Sequence, residues 1–352
     1  MLLEENKLLA PFTTLGIGGP ARWFVKATSE EEIAEAAAWA GEHAQPLFVL
    51  GGGSNLVIAD AGFDGLVVQV GLHGVARSEA QDDSGQVIYE AAAGEDWDSF
   101  VERAVADKCA GIECLAGIPG TVGGTPVQNV GAYGQEVAST IERVRAYDLM
   151  EHRFVEFTAA ECGFGYRRSR FNTVDGGRYV VTCVDYRLTH GGAPTLRYAD
   201  LQRAFPAGSD ASLIEITAAV RRIRQSKGML LVAGDPDCHS AGSFFKNPVV
   251  IEEQVRQIAA AIGQEPPRFP VGPEPENAGR VKIPAAWLIE QAGFAKGYAL
   301  GAAGVSSRHT LALVNRGGAT AAEILALANR IGDAVEARFG IRLEMEPVLV
   351  GL

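Results

Sequence analysis

Residues 50–55, LGGGSN, mark the abrupt end of a short apolar run in three glycines and two hydrogen-bonding side chains. The run before them, Leu47 to Leu50, is short and apolar enough to predict a buried strand. Consecutive backbone N–H groups without Cβ atoms can turn inward and bind an anion. Taken alone, the segment is equally compatible with a phosphate site and with a tight turn that binds nothing.

A second glycine-rich segment shifts that balance towards a ligand. Residues 117–134, GIPGTVGGTPVQNVGAYG, hold six glycines among amide and hydroxyl side chains. Such a loop is costly to order, and it usually exists because its backbone must lie close against something. Two loops of this kind in one half of the chain favour an extended ligand that carries a pyrophosphate.

The sequence argues against two common nucleotide-binding folds, the Rossmann fold and the P-loop fold. Residues 16–21, GIGGPA, formally match the dinucleotide fingerprint G-x-G-x-x-[GA]. That fingerprint must follow a strand and open a helix, whereas residues 22–25 read as a strand. The sequence also contains no G-x-x-x-x-G-K-[ST] motif, so a P-loop nucleotide hydrolase is excluded.

Composition narrows the partners and the compartment. The 352 residues carry 31 basic and 43 acidic side chains, a net charge of -12, which argues against a nucleic-acid-binding surface. No apolar run approaches the roughly 18 residues of a membrane span, so no membrane insertion is expected. Without an export leader, and with five cysteines that lack C-x-x-C spacing, we expect a cytoplasmic protein with neither disulfides nor a metal site.

Helix and strand signals alternate along the chain, which indicates a mixed α and β fold. Thr28-Ser29 followed by acidic residues predicts a capped helix, and Trp97 begins a second apolar helical face. A third helix is predicted over residues 210–225. Residues 341–346 alternate and predict a final strand with Glu344 and Glu346 on one face.

Together these motifs resemble the UDP-N-acetylenolpyruvoylglucosamine reductase (UDP-N-acetylmuramate dehydrogenase) family, in the family's order from about residue 12 to 346. The motifs are LGGGSNLV (50–57), GIPGTVGG (117–124), PVQNVGAYG (126–134), FGYRRSRF (164–171), GSFFKNP (242–248) and KIPAAWLIEQAGFAKG (282–297). The resemblance implies an α+β protein with an FAD-binding fold of the vanillyl-alcohol-oxidase (PCMH-like) type in two regions, plus a separate α+β substrate-binding domain.

The resemblance also implies a division of the chain into three parts. Residues 1–75 would form the first FAD-binding region, on which a C-terminal strand within 341–352 packs. Residues 76–226 would form the second FAD-binding region, and residues 227–340 the substrate-binding domain.

The implied reaction is the NADPH-dependent reduction of UDP-N-acetylglucosamine enolpyruvate to UDP-N-acetylmuramate through bound FAD, in peptidoglycan precursor synthesis. Hydride goes to the vinyl Cβ and a proton to Cα. FAD is expected to be non-covalent, because neither glycine-rich loop contains a histidine or cysteine. The partners are then small molecules, with no nucleic acid, and the enzyme is expected to be a monomer.

Three residues match the family's catalytic positions. Arg167 corresponds to the arginine that stabilises an enolate, and a planar, permanently charged fork suits a carboxylate. Ser243 corresponds to the proton donor, and Glu346 to a carboxylate that works with the arginine. Without the resemblance, the three residues would be read as a solvated arginine run, a turn hydroxyl and an exposed strand charge.

The remaining predicted site residues also come from the family motifs. Tyr198 lies 31 residues after Arg167 and matches the substrate-capping tyrosine of the family's first subtype. The predicted substrate-binding residues are Tyr166, Tyr198, Lys227, Asn247 and His309. The predicted cofactor-binding residues are Gly51, Gly52, Gly53, Ser54, Asn55, Gly117, Ile118, Pro119, Gly120, Gly123, Gly124, Gln128, Asn129, Gly131, Ala132 and Tyr133.

Two other functions would suit parts of this sequence. An FAD-linked oxidase of the same fold, acting on another sugar or hydroxy acid, would have no reason to keep Arg167, Ser243 and Glu346 together. A catalytically inactive flavin- or nucleotide-binding regulator would be expected to have lost one of them. All three are present, which favours the reductase.

Overall fold

Helices and strands alternate along residues 1–80, 85–206, 208–271 and 277–352, which are the residues that the computed structural model describes. The α-helices are α1 Glu30–Glu42, α2 Trp97–Ala106, α3 Ala199–Ala204, α4 Leu213–Ser226, α5 Glu252–Ile262, α6 Ala285–Gln291 and α7 Ala321–Phe339. The strands are β1 Glu4–Leu8, β2 Pro20–Ala27, β3 Leu47–Leu50, β4 Leu56–Ile58, β5 Phe63–Val70, β6 Val75–Glu79, β7 Gln86–Ala92, β8 Cys109–Ala110, β9 Gly131–Ala132, β10 Gln135–Glu136, β11 Ile141–Asp148, β12 Arg153–Thr158, β13 Tyr179–His190, β14 Ser240–Ser243, β15 Val249–Ile251, β16 Arg280–Lys282, β17 Ala299–Leu300, β18 Ala303–Val305, β19 Ala312–Asn315 and β20 Val348–Val350.

The chain forms two compact units, and unit 1 consists of residues 1–8, 20–53 and 63–225. It contains a four-stranded sheet of order β1-β2-β5-β3, in which β2, β5 and β3 run parallel and β1 is antiparallel to β2. Its second sheet has the antiparallel order β12-β11-β13-β7-β6, with β8 also paired to β13. One continuous apolar core joins these sheets to the helices of the unit.

Two helices of unit 1 begin where the sequence predicts. The Ser29 hydroxyl accepts the Glu32 N–H and caps α1, whose residues Ile33, Ala36 and Ala40 are buried in the core. The Asp96 carboxylate accepts the Ser99 N–H at 2.8 Å and caps α2. Both predicted helices are confirmed, because cap residues and apolar spacing are local signals.

Unit 2 consists of residues 9–19, 54–62 and 226–352. Its four-stranded sheet has the order β14-β19-β18-β17, and β15 pairs with β16. The short strand β4 runs parallel to β20, so that residues 56–58 pair with residues 348–350. A second apolar core, built around α7, fills this unit. The three-part division predicted from the sequence stays a prediction.

The predicted final strand over residues 341–346 is wrong. Side-chain burial does alternate there, with Ile341 and Leu343 buried and Glu344 exposed. The backbone, however, forms just one isolated bridge, between Met345 and Phe245, and the regular strand is β20 further on. Alternating burial therefore arises here without a sheet ladder.

Within the described residues, no helix combines the length and the apolar character needed to cross a membrane.

Candidate active site

The two glycine-rich segments meet in unit 1. A Cβ added to Gly52 would lie 2.5 Å from Cα of Gly120, closer than any real side chain can sit. Gly53 and Gly120 adopt φ values of 63° and 133°, which favour glycine. The two loops therefore pack backbone against backbone and form one cradle, to which residues 51–53 and 117–124 contribute.

The cradle contains a buried polar atom that fits a ligand. Thr121 Oγ1 is buried and has no hydrogen-bond partner among the described residues. A Cβ on Gly51 would lie 3.1 Å from this oxygen, so the hydroxyl faces the first loop. Buried hydroxyls are normally paired, and an incoming phosphate or other polar group would supply the partner. The cradle thus fits a phosphate-bearing cofactor such as FAD.

Two charged residues that the sequence reading missed hold the start of the second loop. Asp98 on α2 accepts the Gly117 N–H at 2.6 Å, and Arg224 on α4 donates from Nε to the Gly117 carbonyl at 2.9 Å. Burial raises the pKa of Asp98 and lowers the pKa of Arg224. The sequence of either helix shows only an apolar face and does not reveal this contact. Arg224, for example, lies more than 100 positions from Gly117 along the chain.

The predicted cofactor residue Asn129 is also a structural bridge. Its amide nitrogen donates to the Gly165 carbonyl at 3.0 Å and to Glu136, and its amide oxygen accepts the Ala138 N–H at 3.0 Å. The side chain therefore ties the second loop to the turn that carries Arg167. Its predicted neighbours Ile118, Pro119 and Gln128 are half-buried.

Arg167 lies beside the end of the second loop. One guanidinium nitrogen donates to the Gly131 carbonyl at 2.9 Å, and the guanidinium carbon is 5.6 Å from the centre of the Tyr166 ring. Its backbone has φ 54°, a left-handed conformation that a non-glycine residue adopts at a cost. The structure thus brings the predicted catalytic arginine together with Tyr166 and with Gly131 of the predicted cofactor loop.

Tyr198 joins the same neighbourhood of unit 1. Its ring meets the Tyr133 ring edge to face, with 5.2 Å between their centres. Tyr198 stands immediately before α3, which is anchored by the fully buried Leu201. A predicted substrate residue and a predicted cofactor residue are therefore in direct contact.

Unit 2 holds the other two predicted catalytic residues, and its backbone pairs their segments. Ser243 ends β14, and the next carbonyl, of Phe244, accepts the Glu346 N–H at 2.9 Å. A second bond runs from the Lys246 N–H to the Glu344 carbonyl, also at 2.9 Å. These two bonds place Glu346 alongside the chain that leaves Ser243.

Asn55 holds Glu346 from the other side. The Asn55 amide donates to the Glu346 carbonyl at 3.2 Å, and the Asn55 carbonyl accepts the Val348 N–H at 2.9 Å. Asn55 and its neighbour Ser54 were predicted to bind the cofactor, and the structure gives Asn55 a further contact with the segment of Glu346. Glu346 is thus fixed at both of its peptide groups.

The three remaining predicted substrate residues also lie in unit 2. Asn247 accepts the Ala285 N–H at 2.8 Å at the start of α6. Burial, together with the positive charges of Lys227 and Lys296, lowers the pKa of His309 to about 4. The His309 ring is therefore neutral at pH 7, and Lys227 lies near enough to act on it electrostatically.

Unit 1 therefore contains the cradle, Arg167, Tyr166 and Tyr198, and unit 2 contains the Ser243 and Glu346 segments, His309 and Lys227. Among the residues that the structure describes, no cluster of His, Cys, Asp or Glu side chains could hold a metal ion. A glycine cradle for a phosphate-bearing cofactor, in a chain that also carries charged and hydroxyl side chains, is typical of a flavin-dependent oxidoreductase.

Comparison with known proteins identifies the family. A family model described as an FAD binding domain matches residues 21–152, and one described as the C-terminal domain of UDP-N-acetylenolpyruvoylglucosamine reductase matches residues 235–350. The chain belongs to the UDP-N-acetylenolpyruvoylglucosamine reductase family, and it is an FAD-dependent oxidoreductase. The α+β fold with an FAD-binding region and the FAD cofactor, both expected from the sequence, are confirmed.

Full-length relatives support this assignment. The chain is 46% identical over 357 residues to UDP-N-acetylenolpyruvoylglucosamine reductase of Thermobifida fusca, which covers 99% of this chain and 98% of the relative. It is 46% identical to the Streptomyces coelicolor enzyme, covering 98% and 89%. The crystal structure of the reductase from Thermus caldophilus matches with a TM-score of 0.65 and 26% identity, covering 99% of this chain and all of that one.

Proposed function

We propose that Arg167, Ser243 and Glu346 carry out the chemistry of this reductase. The reaction follows from the family: NADPH-dependent reduction of UDP-N-acetylglucosamine enolpyruvate to UDP-N-acetylmuramate, in peptidoglycan precursor synthesis. FAD, when bound, supplies hydride transfer from NADPH to the vinyl Cβ of the substrate. The observation that carries the residue roles is the backbone pairing that sets Glu346 alongside Ser243 and Phe244.

Arg167 stabilises the negative charge that develops on the substrate. Addition of hydride at Cβ leaves an electron pair at Cα, which delocalises into the neighbouring carboxylate. A fixed, planar guanidinium can bind both carboxylate oxygens and stabilise this charge without moving. The bond from Arg167 to the Gly131 carbonyl and the contact with Tyr166 support this role, since both restrict the side chain before substrate arrives.

Ser243 donates the proton that completes the reaction at Cα. The serine hydroxyl is a weak acid in water, but an enolate is basic enough to take its proton when the resulting alkoxide is stabilised nearby. Glu346 works with Arg167 as a hydrogen-bonding partner or as a member of a proton relay. Its fixed peptide groups support such a role, because its side chain then starts from a defined position.

The remaining contacts and the setting of the enzyme belong to the same proposal. The substrate is bound by Tyr166, Tyr198, Lys227, Asn247 and His309, and FAD is held non-covalently by the two glycine-rich loops. The loop residues are Gly51, Gly52, Gly53, Ser54, Asn55, Gly117, Ile118, Pro119, Gly120, Gly123, Gly124, Gln128, Asn129, Gly131, Ala132 and Tyr133. The enzyme works as a cytoplasmic monomer and binds no nucleic acid.

The decisive experiment separates the two half-reactions under anaerobic conditions. NADPH is added to the flavin-loaded enzyme until the flavin bleaches, then UDP-N-acetylglucosamine enolpyruvate is added and the return of the oxidised spectrum is timed. For Ser243→Ala we expect unchanged bleaching and a return slowed by about 10²- to 10⁴-fold, the usual contribution of a general acid. Stopped-flow absorbance measures both rates.

Ser209→Ala is the matched control, because Ser209 is exposed and its hydroxyl bonds the Pro206 carbonyl of its own turn. It should leave both half-reactions at the wild-type rate. A Ser243→Ala enzyme that reoxidises with substrate as fast as wild type would overturn the role of Ser243. A wild-type flavin that stays reduced until oxygen enters would favour the oxidase alternative.

A further inference from the structure

A fully buried carboxylate lies behind the second glycine-rich loop, at Glu113. One of its oxygens accepts the Gly111 N–H at 2.7 Å. The other accepts the Thr195 N–H and the Gln135 amide, both at 2.8 Å. Burying a carboxylate is costly unless hydrogen bonds satisfy it, and these three bonds do so. Glu113 therefore acts as an anchor for the three groups that donate to it.

Thr195 is the residue that Glu113 and Gln135 both hold. Besides the bond from its N–H to Glu113, the Thr195 hydroxyl accepts the Gln135 amide at 3.1 Å and its carbonyl accepts the Cys114 thiol at 3.3 Å. Gln135 is oriented in turn, because its amide oxygen accepts the Cys114 N–H at 2.7 Å. Thr195 is therefore held at its N–H, its carbonyl and its hydroxyl.

The segment anchored in this way leads directly to Tyr198. Thr195 precedes Tyr198 by three residues, and the intervening chain packs on the second glycine-rich loop. A Cβ on Gly134, which has φ 86°, would lie 2.9 Å from Cβ of Arg197. The Tyr133 and Tyr198 rings then meet edge to face. Two points, one at Thr195 and one at residues 197–198, thus fix the segment against residues 133–135.

We propose that Glu113 is a positioning residue for Tyr198: by holding Thr195 it sets where the tyrosine ring stands when substrate binds. Glu113 itself touches neither substrate nor cofactor in this role. The inference rests on the proposed function, since it requires Tyr198 to bind the substrate. In this proposal Glu113, a buried residue outside all of the recognised motifs, contributes to substrate affinity.

Glu113→Gln tests the inference with minimal change of shape. The substitution replaces one acceptor oxygen by an NH₂ group, which must face N–H donors on one side of the carboxylate. We expect the KM for UDP-N-acetylglucosamine enolpyruvate to rise about tenfold. Flavin content and the rate of flavin bleaching by NADPH should stay at wild-type values. Glu151→Gln, at an exposed position, is the matched control and should leave KM unchanged.

A double-variant cycle separates positioning from a general structural role. If Glu113 acts through Tyr198, adding Glu113→Gln to a Tyr198→Ala enzyme should raise KM little further, because the ring that it positions is gone. Multiplying effects in the double variant would overturn the inference. A normal KM in the Glu113→Gln enzyme, alongside a raised KM for Tyr198→Ala, would overturn the inference alone and leave the proposed function intact.

Two further outcomes are covered by the same set of variants. A normal KM for Tyr198→Ala would remove the substrate role of Tyr198, and both proposals about that residue would fall. If Glu113→Gln does not fold, Thr195→Val keeps the branched shape of the side chain and removes the hydroxyl that accepts from Gln135. A KM raised about two- to fivefold for that variant supports the inference, and an unchanged KM overturns it.

Discussion

The two units of the molecule differ in the groups that we propose for their ligands. In unit 1 the cradle is made of backbone, and its distinguishing feature is the absence of side chains where Gly52 meets Gly120. In unit 2 the proposed proton donor Ser243 and its partner Glu346 would act through side chains, and backbone hydrogen bonds join the segments that carry them. A region that binds through backbone tolerates no added atoms, whereas a region that acts through side chains depends on hydrogen bonds and charge. Substitutions in the two units should therefore fail in different ways.

Among the changes that test this comparison between the units, adding one methyl group to the cradle should have the largest effect. In Gly52→Ala the new Cβ would overlap the backbone of Gly120, and overpacking of this kind typically costs about 1–3 kcal/mol. We expect FAD to bind roughly 10- to 100-fold more weakly. Flavin titration of the apoprotein, followed by fluorescence, measures the change. Gly41→Ala, in the exposed part of α1 with no atom near the new Cβ, should keep its flavin.

Acid should destabilise the enzyme through His309, a buried side chain of unit 2. Burial lowers the folded-state pKa of His309 to about 4 from an ordinary 6.5, so the unfolded chain binds the proton more readily. The contribution of neutral His309 to the free energy of unfolding is therefore present above pH 6.5 and is lost as the pH falls towards 4. Between pH 7 and pH 5 the free energy of unfolding should fall by about 2 kcal/mol. Urea unfolding at both pH values checks this, with His309→Gln as the comparison. Equal pH dependence in the two proteins would contradict it.

The smallest effect concerns the bond that reaches Glu346. Asn55→Ala removes the amide donor to the Glu346 carbonyl, a contribution of about 1 kcal/mol. We expect reoxidation of the flavin by substrate to slow about fivefold at saturating FAD. Asn329→Ala, an exposed change on α7, is the control. Normal reoxidation at saturating FAD would contradict this role and leave Asn55 with its proposed role in FAD binding alone.

The sequence predicted those parts of the fold and site whose signals are local. The Ser29 cap and the apolar spacing of α1 and α2 specify each helix within a few residues. The glycine runs of the cradle are local as well, because each marks a place where backbone comes close to backbone. Strand β3 also has the predicted bounds.

What the sequence could not predict depends on partners distant along the chain. Asp98, Arg224 and Glu113 hold loop segments through bonds that the topology creates, and each looks ordinary within its own stretch. The wrongly predicted strand at residues 341–346 also depends on a distant partner, the segment around Phe245. Its alternation is real, but the facing segment at Phe245 pairs with it over too short a length to make a ladder.

The parallel pairing of β4 with β20 has a consequence for the way in which the enzyme is made on the ribosome. Asn55 and Glu346 lie 291 positions apart, and residues 56–58 wait for residues 348–350 as their strand partner. Translation must therefore pass residue 350 before strand β4 has its partner beside Glu346. The glycine cradle lies within the first 124 residues and needs none of these late residues, so a nascent chain completes the two parts at different times.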